Sequence, residues 1–214
     1  MSNSEDTLNK QFGLSELKEE DVSSNPFEQF RHWYEEALRG DFIHPNAFTL
    51  ATSTSEGKPS ARQLLLKDFD EEGFVFYSNS ESKKGNDLAA NPFAALCFWW
   101  DNLERQVRIE GKVEIVSQDE ADEYFSSRPI GSQIGAWASN QSSVIPNREV
   151  LDMRVEEFER KFEGSAVPRP HYWNGYRLVP DAIEFWQGRD NRLHDRLRYK
   201  LQTDGRWLIE RLAP

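Results

Sequence analysis

Basic side chains cluster near the C-terminus of this 214-residue sequence, where two arginines flank a histidine in Arg192-Leu-His-Asp-Arg196. In an extended strand Arg192, His194 and Arg196 project to one face, because successive side chains alternate between the two faces. Each guanidinium offers a planar fork of donors that fits a phosphate or a carboxylate. The segment therefore predicts a compact anion site, and the alternative interpretation is a charged edge strand that faces solvent.

Two lysines, Lys83 and Lys84, stand at the predicted start of a helix in Ser80-Glu-Ser-Lys-Lys. Backbone N–H groups at a helix N-terminus, together with two ammonium groups, would form a cradle for a phosphate. Lysine in the first turn opposes the helix dipole, and a bound anion would explain its presence there. The alternative is a pair of exposed lysines on a loop.

A third polar cluster is carried by a predicted helix that ends near residue 127. Tyr124 and Arg128 are four residues apart and share a helix face, and Ser132 follows shortly afterwards. A phenol, a guanidinium and a hydroxyl that converge could bind one phosphate. Pairing with the C-terminal end of the helix dipole explains Arg128 equally well.

Arg62 and Lys67 bracket the apolar segment Gln63-Leu-Leu-Leu66 of a predicted strand. Residues five apart on a regular strand face opposite sides of the sheet. Three interpretations remain open: a bulge intervenes, the two cations serve different parts of a ligand, or one of them is structural.

The net charge of −11 argues against general nucleic-acid binding, which needs a broad basic surface, but it allows small phosphorylated ligands. The longest apolar run, residues 93–100, is shorter than the roughly 18 residues that span a bilayer. The N-terminus is polar and unlike a targeting segment, and the single Cys97, expected in the core, forms no disulfide; both features favour a cytoplasmic protein. The four histidines lack metal-ligand spacing, so no metal site is predicted.

The elements that position these side chains can be predicted from hydrophobic periodicity and turn residues. Helices are expected from Asn25 to Gly40, over 81–90, 117–127 and 132–139, and around Leu151 to Phe162. Strands are expected over 47–53, 60–67, 73–77, 93–100, 105–116, 172–179 and 182–187, and in a hairpin across Thr203-Asp-Gly205. This order predicts a mainly β fold with flanking helices (α+β), an antiparallel barrel or sheet. Residues 1–24 are predicted to form a mobile arm, and residues 25–214 a single domain.

Longer motifs resemble one known family. Glu184-Phe-Trp-Gln-Gly188, Asn191-Arg-Leu-His-Asp-Arg196 and the terminal Arg211-Leu-Ala-Pro214 resemble the C-terminal signature of pyridoxine/pyridoxamine 5'-phosphate oxidases. Residues 62–67, Leu103-Glu-Arg-Gln-Val107, the segment 127–137 and Gln141-Ser-Ser143 resemble the same family. The resemblance extends from about residue 25 to residue 214. It implies an antiparallel split β-barrel, FMN as cofactor, and a homodimer with active sites at the subunit interface.

The resemblance also implies roles for individual residues. FMN would be bound by Arg62, Gln63, Leu64, Leu65, Leu66, Lys67, Tyr77, Ser78, Lys83, Lys84, Gln106, Gln141, Ser142, Trp186 and Arg196. The phosphorylated B6 vitamer would be bound by Lys67, Tyr124, Arg128, Ser132, Arg192 and His194. Of these, Arg192 and His194 would be the catalytic residues beside the reacting carbon, C4'.

The implied reaction oxidises pyridoxine or pyridoxamine 5'-phosphate to pyridoxal 5'-phosphate, in vitamin B6 biosynthesis or salvage. A hydride equivalent would pass to FMN and then to O2, giving hydrogen peroxide. Two departures from the family stand out: Lys83 where Arg is frequent, and Lys10-Gln-Phe12 in place of a substrate-covering Arg-Glu-Tyr, so no lid is expected. The alternatives are another FMN split-barrel oxidoreductase with a different reduced substrate, a protein that holds FMN or pyridoxal phosphate without turnover, or a purely structural protein.

Overall fold

A computed structural model of this protein describes residues 16–214, in which a nine-stranded antiparallel sheet curls around an aromatic core. The helices are α1 (Pro26–Arg39), α2 (Lys83–Ala90), α3 (Gln118–Ser127), α4 (Ile130–Ala138) and α5 (Arg148–Phe162). The strands are β1 (Ala47–Ser53), β2 (Pro59–Leu65), β3 (Asp68–Asp70), β4 (Gly73–Asn79), β5 (Phe93–Trp100), β6 (Arg105–Ile115), β7 (Trp173–Gln187), β8 (Asp195–Leu201) and β9 (Trp207–Arg211). The predicted mainly β fold with flanking helices is confirmed.

The sheet follows the order β2-β1-β5-β6-β7-β4-β3, and β8 and β9 continue from β7 as a second branch. The strand β7 is long enough to pair with three other strands. Its first half pairs with β4, its second half pairs with β8, and β6 pairs along both halves. The sheet therefore divides at β7, which is the geometry expected of a split barrel.

The two strands predicted over 172–179 and 182–187 are in fact this single strand. Pro180 and Asp181 do not interrupt it, because they lie at a bulge where the register against β6 shifts between Glu110 and Gly111. Proline is tolerated at a bulge, where no ladder hydrogen bond from its nitrogen is needed. Gly111 allows the close approach, since a Cβ there would lie 2.1 Å from the carbonyl oxygen of Val179.

Helix α1 closes the open side of the sheet through aromatic contacts. Its start and end agree with the prediction, because the Asn25 side chain accepts a hydrogen bond from the Phe27 amide and Gly40 ends the helix. Phe30 is fully buried and makes edge-to-face contacts with Phe74 and Phe98, at centroid distances of 5.0 and 5.2 Å. Such contacts add to the burial of apolar area and fix the helix on the core.

Strand β5 alternates instead of being buried on both faces. Leu96, Phe98 and Trp100 point into the core, whereas Trp99 is 53% exposed on the outer face. The expectation that Cys97 lies in the core is wrong, because the period of two places this half-buried thiol on the same outer face.

The predicted N-terminal arm is described only in part. Its first 15 residues lie outside the described residues, and residues 16–24 contact β8, β9 and α1. No helix within residues 16–214 has the length and the apolar character needed to cross a membrane.

Candidate active site

A cavity of about 630 Å³ opens where strands β2 and β4 face helices α3 and α4. Ten of the predicted site residues line it: Gln63, Leu64, Leu65, Lys67, Tyr77, Ser78, Tyr124, Arg128, Ser132 and Gln141. Sequence reasoning missed six further lining residues: Asn79, Pro129, Gly135, Ala136, Ser139 and Trp173. The structure therefore brings residues from five separate elements, β2, β4, α3, α4 and β7, to one concave surface.

At one end of this cavity Lys84 is a buried ammonium group surrounded by neutral oxygens. Its side chain is 7% exposed, and its Nζ donates to Ser78 Oγ at 3.0 Å, Ser82 Oγ at 3.2 Å and Gln141 Oε1 at 2.5 Å. Burial lowers the pKa of Lys84 to about 8, and the charge of Arg62 acts in the same direction. Within residues 16–214 no carboxylate pairs with this ammonium, which leaves a positive charge that an anion can neutralise.

Arg62 and Lys83 lie beside Lys84 and share one carboxylate, Asp87. Lys83 Nζ is 3.1 Å from both carboxylate oxygens, and Arg62 approaches to 4.0 Å while it donates to Thr52 Oγ1 and the carbonyl of Leu50. Burial alone would raise the pKa of Asp87, but hydrogen bonds from Thr52 and Lys83 and the nearby cations hold it below its usual value. Three cations around one carboxylate leave a net positive charge at the start of α2.

The local sequence explains how α2 presents this charge. Ser82 is the N-cap, and its hydroxyl accepts a hydrogen bond from the Gly85 amide. The helix begins two residues later than predicted, with Lys83 and Lys84 in its first turn. Ser142 lies against this turn, since its hydroxyl accepts a hydrogen bond from the Lys83 amide. The predicted lysine cradle and Gln141-Ser142 are thus neighbours.

At another part of the cavity Arg128 is held over two aromatic rings. Its guanidinium carbon lies 4.8 Å from the ring centroid of Trp173 and 5.5 Å from that of Phe125. Its Nη1 is buried and has no hydrogen-bond partner among the described residues. Burial lowers the pKa of Arg128, although an arginine at neutral pH stays charged. A buried donor without a partner is costly, so this atom points to a missing acceptor.

Aromatic rings form the wall between the two cationic ends. Tyr77 stacks on Tyr124 at a centroid distance of 4.1 Å and on Trp173 at 5.0 Å. Burial, and then the charge of Glu120, raise the pKa of Tyr77 to about 12, so its phenol is a neutral donor near pH 7. Lys67 Nζ lies 5.9 Å from the ring of Tyr124. The wall can stack on a flat ring while its polar atoms hydrogen-bond to the ring substituents.

The pairing of β2 with β1 contains no bulge, so alternation separates Arg62 from Gln63 and Leu65. Arg62 is directed towards Asp87, whereas Gln63 and Leu65 line the cavity together with Leu64. Lys67 also lines the cavity, from a position beyond the end of β2. Leu66 points into the core and is 4% exposed, so its side chain does not reach the cavity.

The remaining predicted residues form a second cluster on the outer face, away from the cavity lining. Strand pairing places Gln106 opposite Trp186 and Trp186 opposite Arg196. The ring of His194 lies 4.5 Å from that of Trp186, and Arg196 makes a two-pronged pair with Glu184 at 2.9 and 3.1 Å.

One sequence expectation about this cluster is wrong. Arg192 and His194 do not extend the strand face of Arg196, because β8 begins only at Asp195. Residues Asp190–Arg192 form a short 3-10 turn in which Asn191 and Arg192 have φ of 58° and 61°. Because the backbone is left-handed at Asn191 and Arg192, strand alternation does not set the direction of the Arg192 side chain.

Comparison with known proteins agrees with this geometry. The family model described as pyridoxamine 5'-phosphate oxidase matches residues 34–162, and the one described as pyridoxine 5'-phosphate oxidase C-terminal dimerisation region matches residues 173–214. Proteins named pyridoxine/pyridoxamine 5'-phosphate oxidase from Trichormus variabilis and Gloeothece citriformis are 57% and 58% identical to this chain over 207 residues, 97% of each chain.

Solved structures share the fold. PhzG from Burkholderia lata 383, solved with tetrahydrophenazine-1-carboxylic acid, is 31% identical, with a TM-score of 0.88 over 95% of this chain and 100% of that chain. A pyridoxamine 5'-phosphate oxidase-related, FMN binding protein from Nostoc punctiforme is 17% identical, with a TM-score of 0.72 over 90% of this chain and 100% of that chain. With its split antiparallel sheet, its two cationic cavity ends and family matches along nearly its whole described length, this chain belongs to the pyridoxamine 5'-phosphate oxidase family.

Proposed function

We propose that this protein is an FMN-dependent oxidase that converts pyridoxine 5'-phosphate and pyridoxamine 5'-phosphate to pyridoxal 5'-phosphate. One observation carries the proposal: two cations at the cavity, the buried Lys84 behind the lining residues Ser78 and Gln141 and the half-buried Arg128 in the lining itself, pair with no carboxylate within residues 16–214. Two separate unpaired cations fit two phosphorylated ligands better than one. The oxidase name carried by relatives at 57% and 58% identity supports the same assignment.

The end of the cavity at α2 fits the phosphate of FMN. Among residues 16–214, Lys84 has no carboxylate partner, and Arg62 and Lys83 add positive charge beside it. The backbone amides at the N-terminus of α2 add further donors for a phosphate at this end. Gly85 keeps this corner compact, because a Cβ there would lie 2.2 Å from the Ser80 carbonyl oxygen. The cavity-lining residues of β2 and β4, with Gln141 and Ser142, would hold the rest of the cofactor.

The end of the cavity at α3 and α4 fits the phosphate of the vitamer. Arg128 supplies the donor that has no partner, and Tyr124 and Ser132 line the same cavity. The guanidinium is held over the ring of Trp173, which preorganises its donors and reduces the entropy lost on binding. Lys67 lies between the two ends and can contact either ligand.

The second cluster would complete the site from another subunit. Gln106, Trp186, Arg192, His194 and Arg196 do not line the cavity of their own chain. The region that contains four of them, residues 173–214, matches the family's dimerisation region. We therefore propose a homodimer in which each cavity faces the outer-face cluster of the partner subunit, with two equivalent sites related by twofold symmetry.

FMN, when bound, would supply an acceptor for the hydride equivalent from C4' and a route for the two electrons to O2, giving hydrogen peroxide. The residues of the chain bind and orient. Arg128, Tyr124 and Ser132 fix the vitamer phosphate, and the aromatic wall excludes water from its ring. Arg192 and His194 would contact the vitamer beside C4'. An alcohol substrate then gives the aldehyde directly, and an amine gives an imine that water hydrolyses to the aldehyde and ammonia.

The test uses FMN-loaded protein under air with pyridoxine 5'-phosphate, measuring pyridoxal phosphate and hydrogen peroxide together. Arg128→Ala is expected to raise KM by about 100-fold, because a charge-assisted phosphate contact is lost. The control is Arg160→Ala, an exposed arginine on α5. An unchanged KM for Arg128→Ala would show that the end of the cavity at α3 and α4 does not bind the vitamer phosphate.

A second candidate function is oxidation of a different reduced substrate by the same fold, as the similarity to PhzG indicates. The buried Nη1 of Arg128, which has no hydrogen-bond partner within residues 16–214, favours a phosphorylated substrate over this alternative. If the FMN-loaded protein is coloured and active on other reduced rings but yields no aldehyde from either vitamer, the alternative is correct. A flavin-loaded protein with no turnover at all would indicate a binding protein.

A further inference from the structure

Residues 16–19 lie across the start of β8, directly beside the second cluster. Leu17 is 5% exposed and packs in the main core. Its amide donates to Asp195 Oδ2 at 3.2 Å, and its carbonyl accepts from Arg211 Nη2 at 2.8 Å. A backbone segment whose N–H and C=O groups are both hydrogen-bonded is fixed in orientation as well as in position.

Asp195 is the centre of these contacts. Its carboxylate also accepts from Arg189 Nη1 at 3.0 Å and from Arg211 Nη1 at 2.8 Å. The two arginines reach onwards to the N-terminal segment, where Glu16 pairs with Arg189 at 3.2 Å and Glu19 with Arg211 at 2.7 Å. The five charged groups form one network that joins residues 16–19 to β8, β9 and the turn before β8.

The same network reaches His194 through the backbone of Arg189. The Arg189 amide donates to His194 Nδ1 at 3.1 Å. A backbone amide can only donate, so Nδ1 must accept, and the proton of the neutral imidazole resides on Nε2. Nε2 is therefore presented as a donor, with the ring tilted against that of Trp186 at a centroid distance of 4.5 Å.

The turn between Arg189 and His194 needs such support. Asn191 and Arg192 are consecutive non-glycine residues with φ of 58° and 61°, a conformation that L residues rarely adopt. Such a backbone persists where its surroundings over-determine it. Here the side chain of Arg189 is anchored at one end of the turn and the carboxylate of Asp195 at the other.

We propose that residues 16–19 act as a strap that, through Asp195 and Arg189, holds the turn Asp190–Arg192 and keeps His194 as an Nε2–H donor. Asp195 and Arg189 are positioning residues, since they act on the site through Arg192 and His194. The consequence for catalysis rests on the proposed function, whereas the coupling between the strap and His194 does not.

The experiment compares Asp195→Asn with the wild-type FMN-loaded protein. The matched control is Asp204→Asn, which removes another carboxylate paired with an arginine, at the exposed turn between β8 and β9. Nitrogen-15 NMR of the His194 ring reports its tautomer, with His194→Gln to assign the signals. Hydrogen exchange of the Leu17 amide reports whether the strap is attached.

We expect a single Nε2–H tautomer and a protected Leu17 amide in the wild type and in Asp204→Asn. Asp195→Asn should show mixed tautomers, faster exchange at Leu17, and a KM for pyridoxine 5'-phosphate raised about tenfold with FMN affinity changed by less than about twofold. If Asp195→Asn kept a single His194 tautomer while its Leu17 amide exchanged faster, the proposed coupling would be wrong. Unchanged exchange of the Leu17 amide in this variant would also contradict it.

A double variant, Glu16→Ala with Glu19→Ala, covers the case in which Asp195→Asn does not fold, because both glutamates are exposed. It should speed hydrogen exchange of the Leu17 amide and shift the His194 tautomer in the same direction as Asp195→Asn does. Faster exchange with an unchanged tautomer would overturn the proposal. If the wild type forms no pyridoxal phosphate, the proposed function fails, and the NMR and exchange comparisons still decide whether the strap holds His194.

Discussion

At the scale of single residues, the buried ammonium group of Lys84 couples its protonation to the binding of the phosphate that we propose for this end of the cavity. Its ammonium donates to three neutral oxygens, and burial lowers its pKa to about 8. A bound phosphate would supply the missing negative charge and raise the pKa again. Binding of the phosphate and protonation of Lys84 are therefore coupled.

The affinity for FMN is consequently expected to fall as the pH rises above about 8. Below that pH Lys84 is protonated in both the free and the bound protein, so this group contributes no pH dependence. Above it the free protein loses a proton that the complex keeps, and Kd should rise by up to about tenfold per pH unit. Fluorescence titration of the FMN-free protein with FMN across this range measures the slope.

Lys84→Arg is the matched control for this titration, because an arginine stays charged throughout the range. Its Kd is expected to be flat where that of the wild type rises. Equal slopes for the two proteins would mean that another group controls the pH dependence.

At the scale of elements, the N-terminus of α2 depends on the close approach of Gly85 to Ser80. A Cβ at Gly85 would lie 2.2 Å from the Ser80 carbonyl oxygen and 2.6 Å from its Cα, and backbone atoms cannot rotate away. Gly85→Ala should therefore cost about 1–3 kcal/mol of unfolding free energy and weaken FMN binding. Urea denaturation and FMN titration measure both effects.

Gly131→Ala provides the control, since no atom lies within 4 Å of a Cβ at Gly131 in α4. It should stabilise the protein by about 0.5–1 kcal/mol, the ordinary gain from replacing glycine in a helix. If both variants gave the same change in stability, the contact with Ser80 would not be the cause.

Helix α4 forms the side of the cavity that we propose for the vitamer, and its lining side chains there are small. Gly135 lines the cavity, and no atom lies within 4 Å of a Cβ at this position. Gly135→Leu should therefore fold normally but occupy the space of the vitamer, raising its Kd by at least about tenfold. Calorimetric titration with pyridoxal 5'-phosphate measures this affinity.

Gly131→Leu places the same side chain one helical turn earlier, outside the lining of this cavity. Its Kd should match that of the wild type. A similar loss of affinity in both variants would point to a general disturbance of α4 and not to filling of the cavity.

At the scale of the whole molecule, the long strand β7 separates the two halves of the proposed site. Its first residue, Trp173, lines the cavity, whereas Trp186 near its other end belongs to the outer-face cluster. One subunit therefore presents both halves at different places, and a dimer can join each half to its complement.

Mixed dimers test this arrangement. At a vitamer concentration well below the wild-type KM, Arg128→Ala should disable the cavity half and Arg192→Ala the outer-face half, so each variant alone has two defective sites. In a mixed dimer one site carries both defects and the other carries none. Random mixing of the two variants should therefore restore about one quarter of wild-type activity. The measurement is vitamer oxidation after co-refolding equal amounts of the two proteins.

The control mixes Arg128→Ala with Tyr124→Ala, two changes in the same half. Every site in those mixed dimers keeps one defect, so no activity should return. If the first mixture also stayed inactive, each site would be built from a single chain.

Much of the fold could be predicted because its signals are local. Asn25 and Gly40 mark the ends of α1, Ser117 caps α3, a continuous apolar run marks β5, and alternation marks β6. The long strand β7 could not be predicted, because Pro180 normally ends a strand. It is tolerated only through the bulge opposite Gly111, a contact between distant parts of the sequence.

For the candidate site, the sequence by itself determined the kinds of side chain and the family motifs: the lysines at the start of α2, the Tyr124, Arg128 and Ser132 group, and the basic C-terminal segment. Residue type fixes charge and donor geometry, and short spacings fix helix faces. The tertiary structure decided which of these meet. Within residues 16–214, strand pairing and burial left Lys84 and Arg128 without a carboxylate partner, placed Trp173 beside Arg128, and turned Arg192 out of the strand. These outcomes depend on contacts between residues far apart in sequence, which no local pattern encodes.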